Sequence, residues 1–87
     1  MHDVIVLTSP VCHLCEDAVE ALGDLTPEFD LTVRKVDMLS AEGKRLVDRY
    51  RPSMPPAVIV DGELFSAGRL PRKKLRRLLE RNLQGVV

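Results

Sequence analysis

The sequence predicts an α/β protein with the element order β-α-β-α-β-β-α, in which a four-stranded mixed sheet carries helices on both faces. Three observations support this prediction. Strand-like apolar runs alternate with amphipathic helical patterns, and a tight Asp-Gly turn joins two short strands in the second half. The length of 87 residues suits one domain only. We therefore expect a single domain over residues 1–87.

The first half of the chain predicts a parallel βαβ unit. Residues 4–8 form an apolar run that is typical of a strand buried on both faces. A helix is expected from Cys12 or His13 to about Gly23, and residues 29–36 alternate as a second strand whose facing is ambiguous. Because a helix joins these two strands, they should pair in parallel.

A second helix is expected over about residues 41–50. Ser40 is a favourable N-cap for it, and Pro52 prevents its continuation. A proline-rich turn that contains Pro55 and Pro56 follows. This segment should connect the second helix to the next strand.

The part of the chain after the proline-rich turn predicts a β-hairpin and a final helix. Residues 57–60 and 64–67 should form the two strands, with Asp61-Gly62 as the turn between them. The last helix is expected from about Pro71 to Leu83, with Pro71 in its first turn. Its apolar stripe consists of Leu75, Leu78, Leu79 and Leu83.

Composition and charge narrow the classes of partner. The chain has 13 basic and 13 acidic residues, so no whole-protein field is available to attract nucleic acid or an anionic membrane. A charged fraction of 30% is too high for a membrane span, and the N-terminal apolar run is too short for a signal peptide. We expect a monomer in the cytoplasm, a reducing compartment, with neither a nucleic-acid partner nor a membrane partner.

The charges are nevertheless unevenly distributed. Acidic residues dominate the first helix and basic residues dominate the last. The basic set suits an anionic partner, but a solvated helix face that balances the acidic first helix is the simpler interpretation. The basic residues are Arg69, Arg72, Lys73, Lys74, Arg76, Arg77 and Arg81.

The chemistry is predicted to lie in the Cys12-His13-Leu14-Cys15 motif, which follows the first strand and opens the first helix. Unpaired N–H groups and the helix dipole favour negative charge at a helix N-terminus. Such a position lowers the pKa of a thiol below its free value of about 8.5. Cys12 is therefore the expected nucleophile, and Cys15, one turn further along, is the expected resolving thiol.

Other interpretations of the motif stay open. A protonated His13 would stabilise the Cys12 thiolate, whereas a solvent-facing His13 would have a minor effect. A closed zinc site needs four ligands, and only His13 and His2 could add to the two cysteines, so no metal site is predicted. A metal or iron–sulfur cluster carrier that acts as a dimer is one alternative. A binding module whose cysteines are incidental is another.

The chain resembles the glutaredoxin and thioredoxin superfamily, and within it the short glutaredoxin-like proteins. The similarity lies in residues 4–15, the prolines before the third strand, Asp61-Gly62 and residues 68–71. It implies a thioredoxin-like fold of the minimal glutaredoxin type. It also implies a protein-disulfide oxidoreductase with a redox-active CxxC pair that needs no bound cofactor, because the two thiols carry the electrons.

The resemblance also implies roles for four residues outside the cysteines. A cis-proline in this superfamily lies opposite the nucleophile and presents backbone groups to an extended substrate. Pro56 is the first choice for that position and Pro55 the second, while Pro10 lies beside the motif as a further substrate-binding residue. Arg69 belongs to a loop that faces the active site in the family.

The expected partners are disulfides of proteins or small molecules. The reductant stays open between glutathione and a thioredoxin-reductase-type donor. The places where glutaredoxins carry a basic residue before the motif and an aromatic ring inside it hold Thr8, Ser9 and Leu14 here.

Overall fold

The computed structural model describes residues 2–84, with no description of the side chains of residues 82–84. The predicted order β-α-β-α-β-β-α is confirmed. The elements are β1 (His2–Thr8), α1 (His13–Phe29), β2 (Leu31–Asp37), α2 (Ala41–Tyr50), β3 (Ala57–Val60), β4 (Glu63–Ala67) and α3 (Arg72–Gln84).

The four strands form one mixed sheet in the order β2-β1-β3-β4. Strands β1 and β2 are parallel, as predicted, and β3 is antiparallel to both β1 and β4. The ends of β1 and β2 at Thr8 and Asp37 therefore lie beside the start of β3 at Ala57. We call this the motif end of the sheet. The opposite end, at His2 and Val60, is called the turn end.

Two apolar layers hold helices against the two faces of the sheet. Helices α1 and α3 pack on one face, and α2 packs on the other, which confirms the predicted arrangement. Each fully buried Val or Leu side chain stabilises the fold by about 1.5–3 kcal/mol. The buried side chains of the first layer include Val4, Val6, Leu22, Val58, Leu75 and Leu79, and those of the second are Leu7, Val36, Ala57 and Ile59.

Helix α1 ends at Phe29, so the predicted end at Gly23 is wrong. Gly23 lies inside the helix and is not among the residues with a positive φ, so it does not end the helix. Leu25 and Phe29 are only 8% and 5% exposed and continue the buried stripe beyond it. The helix ends where Asp30 adopts a left-handed conformation with φ 52°. The second strand accordingly begins at Leu31 rather than at Phe29.

The other boundaries lie close to the predictions. Helix α2 and strand β3 have the predicted limits, with Ser40 accepting the N–H of Gly43 at 3.0 Å as the N-cap. Strand β4 starts one residue earlier than predicted. Pro71 precedes α3, and its carbonyl accepts the N–H of Leu75 at 3.0 Å. Leu83, the last member of the predicted stripe, lies among the residues whose side chains are not described.

Helix α2 approaches the motif end very closely. Gly43 is buried, and a Cβ at this position would overlap the backbone of Asp37. Only glycine therefore permits this contact between α2 and the end of β2.

Two arginines attach α3 to α1. Arg72 donates a hydrogen bond to Asp17 at 2.7 Å, and Arg76 donates two to Glu28 at 2.8 and 3.0 Å. The hydrogen bonds from Arg76 lower the pKa of the Glu28 carboxyl. Within residues 2–84, no helix is both long and apolar enough to cross a bilayer.

Candidate active site

The site is built around Cys12, which is the N-cap residue of α1. Its backbone is extended, with φ −133° and ψ 103°, and its carbonyl accepts the N–H of Glu16 at 3.3 Å. Its Sγ accepts the N–H of Cys15 at 3.1 Å. The sulfur therefore occupies the place where a helix N-terminus favours an anion.

Cys12 and Cys15 are joined by a disulfide, with their Cα atoms 5.2 Å apart. Cys12 is partly exposed, whereas Cys15 is 4% exposed and belongs to the core. The two sulfurs thus differ in accessibility. A molecule outside the protein can approach the sulfur of Cys12 far more readily than that of Cys15.

The residue before the motif has an unusual backbone. Val11 adopts a left-handed conformation with φ 50°, and its side chain is 97% exposed. A β-branched residue in this region is an outlier, with a strain of about 1–3 kcal/mol, and such strain clusters at functional sites. It occurs here at the turn that positions Cys12 on the helix.

The proline-rich loop reaches the same end of the sheet. The peptide bond between Pro55 and Pro56 is cis, and Pro56 is buried. Because Leu7 pairs with Ala57, Pro56 lies at the motif end, where β1 leads into the cysteine motif. The carbonyl of Pro56 accepts the N–H of Gly68 at 2.9 Å, which connects this loop to the segment before α3.

Gly68 makes that connection possible. It has φ 90°, and a Cβ there would lie 3.1 Å from the sulfur of Met54. The positive φ therefore favours glycine, and a Cβ would in addition require the Met54 side chain to shift. Met54 is 48% exposed, so this loop also presents an apolar side chain at the motif end.

A cleft of about 620 Å³ borders the disulfide on the β2 side. Both cysteines and Val11 line it, together with Lys35 and Asp37 from the end of β2. Sequence reasoning missed these two charged residues as part of the site. The signal that could have found them is the parallel register, which pairs Lys35 with Val6 and Asp37 with Thr8.

The remaining residues singled out in the sequence lie around this centre. The His13 side chain is 96% exposed, and its Nδ1 is 3.9 Å from a carboxylate oxygen of Glu16. Pro10 is exposed in the loop between β1 and α1. Arg69 is exposed and lines a separate cleft beside α3, so it does not share the cleft of the disulfide. Across residues 2–84, the structure contains no group of three or more His, Cys, Asp or Glu side chains that could hold a metal ion.

The fold of the chain is similar to that of solved thioredoxin-fold structures. Oxidised thioredoxin O2 from Arabidopsis thaliana superimposes with a TM-score of 0.70 at 18% identity, over 93% of this chain and 74% of that one. An uncharacterised thioredoxin-like protein from Clostridium perfringens gives 0.74 at 11% identity, over 92% and 69%. A mutant thioredoxin from Halobacterium salinarum gives 0.68 at 22% identity, over 91% and 72%. At these identities the similarity shows a shared fold.

The family assignment rests on a match to a family model rather than on an individual relative. A search of curated proteins finds no match. The model of the family described as Glutaredoxin-like domain (DUF836) matches residues 3–80, from the first strand through most of the last helix. Since this match spans nearly the whole chain and the fold agrees with it, the chain belongs to the glutaredoxin-like domain family of the thioredoxin superfamily.

Proposed function

We propose that this protein is a thiol–disulfide oxidoreductase in which Cys12 is the nucleophile and Cys15 the resolving thiol. One observation supports this proposal above all others. The two cysteines form a pair in which the sulfur of the partly exposed Cys12 caps α1, whereas Cys15 is only 4% exposed. Accessibility and a favourable site for a thiolate therefore coincide on Cys12.

The reductive step begins with both cysteines as thiols. The Cys12 thiolate attacks one sulfur of a substrate disulfide and forms a mixed disulfide, while the other substrate sulfur leaves as a thiolate that takes up a proton. Cys15, deprotonated, then attacks the Cys12 sulfur and releases the second substrate thiol. Two electrons pass to the substrate, and the protein is left with the Cys12–Cys15 disulfide.

The cycle closes when an external thiol reduces that disulfide. Two electrons and two protons must enter, either from two glutathione molecules or from one dithiol protein. The reaction requires no bound cofactor, because the electrons reside in the two sulfurs throughout. The proposal covers both of these electron donors.

The surrounding residues suggest how a substrate is positioned. In this proposal, an extended substrate segment pairs with the backbone beside Pro55 and Pro56, in the manner of an added strand. Pro10 lies two residues before Cys12, in the exposed loop that leads into the motif. His13, next to the nucleophile, would favour the Cys12 thiolate when its ring is protonated. Arg69 would contact substrate beyond the motif.

The proposal is tested by the intact mass of the protein equilibrated across glutathione redox buffers. We expect the wild-type protein to lose two hydrogens reversibly, and the midpoint gives its reduction potential. The Cys15→Ser variant should instead accumulate an adduct with one glutathione, because no resolving thiol remains. A wild-type protein that forms no intramolecular disulfide at any buffer composition would contradict the proposal.

A further inference from the structure

A second cleft, of about 850 Å³, lies beside the start of α3. Five exposed basic side chains line it, together with Asp17: Arg69, Arg72, Lys73, Lys74 and Arg77. We call it the basic cleft. The residues between its cations are Leu70, which is buried, and Pro71, which is half-buried. The cleft thus combines positive charge with a small apolar surface.

Arg72 differs from the other four cations of the basic cleft, because it already has a carboxylate partner. Arg72 and Arg76 form ion pairs with Asp17 and Glu28 of α1, and these pairs hold the two helices together. Among the residues that the structure describes, the other four cations of the basic cleft (Arg69, Lys73, Lys74 and Arg77) have no carboxylate within ion-pair distance. The interpretation that the basic helix balances the acidic one accounts for Arg72 and Arg76 only.

This arrangement is unfavourable for the isolated protein. The first turn of α3 contains no acidic residue, although a helix N-terminus favours acids and disfavours cations. Lys73 and Arg77 are four residues apart on one helix face, where like charges repel. A local rule broken without an internal compensation is typical of a functional surface. An anionic ligand would relieve both effects.

Two chain segments connect the basic cleft to the motif end. Asp17, at its α1 side, is one helical turn beyond His13. Arg69, at its other side, directly follows Gly68, whose N–H binds the carbonyl of the cis-proline Pro56. The basic cleft is therefore a neighbouring surface for a polypeptide whose disulfide lies at Cys12 and whose backbone lies beside Pro56.

We infer that the basic cleft binds an acidic segment of a protein whose disulfide is reduced at Cys12. This inference rests on the proposed function and names its substrate class. Carboxylates on flexible side chains can reach the separate cations while avoiding Asp17. A nucleic acid fits less well, because its charge is continuous and the lining of the cleft contains no aromatic residue for base stacking.

The test compares two peptide disulfides that differ only in their flanking residues, glutamates in one and lysines in the other. The reduced protein is mixed with each in a single turnover, beside the neutral hydroxyethyl disulfide as reference. At low salt we expect the acidic peptide to react about tenfold faster than the basic one, because electrostatic steering raises association rates. At about 1 M NaCl, screening should bring the ratio close to one.

Matched variants assign the effect to the basic cleft. The K73E/K74E variant should lose the preference for the acidic peptide. It should also fold, since acids in the first turn of α3 favour the helix. The K44E/R45E variant makes the same charge change on α2, on the other face of the sheet, and should keep the preference. An equal loss in both variants would overturn the inference, because net charge alone would then explain the effect.

A binding measurement separates the inference from the proposed function. Anisotropy of a labelled, cysteine-free glutamate peptide is measured with the Cys12→Ser/Cys15→Ser protein, with and without K73E/K74E. Salt-sensitive binding that K73E/K74E removes supports the basic cleft even if the wild-type protein reduces no disulfide, a result that would refute only the proposed function. Equal rates on the two peptides and no binding would overturn the inference, while normal reduction of hydroxyethyl disulfide would leave the proposed function intact. Competition by a single-stranded oligonucleotide at equal potency would also overturn it.

Discussion

The two ends of the sheet both contain a residue in the left-handed conformation, Val11 at the motif end and Asp61 at the turn end, with φ 50° and 49°. Their surroundings differ. Asp61 accepts hydrogen bonds from His2 Nδ1 at 2.8 Å and from the N–H of Asp3 at 2.9 Å. Val11 is β-branched, and its side chain is 97% exposed. The turn end stabilises its unusual backbone locally, whereas the motif end leaves its own strained.

Further hydrogen bonds close the turn end. The N–H of Asp61 binds the carbonyl of Asp3 at 2.8 Å, and the Tyr50 hydroxyl donates to the Gly62 carbonyl at 2.6 Å. The motif end instead presents the exposed apolar side chains of Val11 and Met54 beside a partly exposed sulfur. We therefore expect the turn end of the sheet to contribute mainly to stability and the motif end mainly to reactivity. Variants at each end test this expectation.

The largest expected effect is on activity at the motif end. The Cys12→Ser variant should lose at least about a thousandfold in disulfide reduction, because the attacking atom is removed. Turnover of hydroxyethyl disulfide measures this loss. Urea unfolding of the reduced proteins is the control, and it should show nearly equal stability for variant and wild type. Retained turnover would contradict the assignment of Cys12 as nucleophile.

At the turn end the expected effect is on stability. Asp61→Ala should lower the free energy of unfolding by about 2 kcal/mol, since two hydrogen bonds to a half-exposed carboxylate are lost and alanine tolerates the left-handed backbone poorly. Urea unfolding measures it, and disulfide reduction should be unchanged. Asp61→Gly should recover about 1 kcal/mol of this by tolerating the backbone. Asp48→Ala, an exposed change on α2, should have little effect.

The stabilising effect of Asp61 should depend on pH. Burial alone would raise the pKa of this carboxyl, but hydrogen bonds from His2 and Asp3 outweigh it, so its pKa lies below the ordinary value of 3.8. A depressed pKa in the folded state contributes stability above that value and loses it as the pH falls further. The stability difference between wild type and Asp61→Asn should therefore shrink as the pH falls below 3.8. A difference that grows on acidification would refute this.

The smallest expected effect sharpens the contrast in backbone strain. Val11→Asn should raise the free energy of unfolding by about 1 kcal/mol, because asparagine tolerates the left-handed region better than a β-branched residue does. Urea unfolding of the disulfide form measures this gain. Leu39→Asn is the matched control, as Leu39 is 65% exposed and is not among the left-handed residues. Destabilisation by Val11→Asn would show that the strain is absent.

Much of the fold could be predicted because its signals are local. Ser40 and Pro52 delimit α2, and Asp61-Gly62 forms the hairpin turn, so these boundaries depend on the chemistry of a few adjacent residues. The end of α1 could not be predicted in this way. Gly23 has the composition of a stop signal, but the burial of Leu25 and Phe29 against the sheet carries the helix past it.

The candidate site likewise has residues that local sequence signals predicted and residues that they did not. The cysteine motif at a strand–helix junction is a local pattern, and the resemblance to a family pointed to Pro56. Lys35 and Asp37 reach the cleft only because β2 pairs in parallel with β1. The alternation of apolar and polar residues along β2 did not define this register. The division of the basic residues into paired and unpaired groups likewise depends on how α3 lies against α1.

The burial of Cys15 affects oxidative damage to the cysteines as well as the proposed turnover. Oxidation by peroxide and disulfide cross-linking between molecules both require a solvent-accessible sulfur. At 4% exposure, Cys15 is shielded from these reactions, and its near neighbour Cys12 is the sulfur within its reach. Irreversible oxidation should therefore concentrate on Cys12, and in the proposed cycle the internal disulfide would protect this sulfur between rounds of reduction.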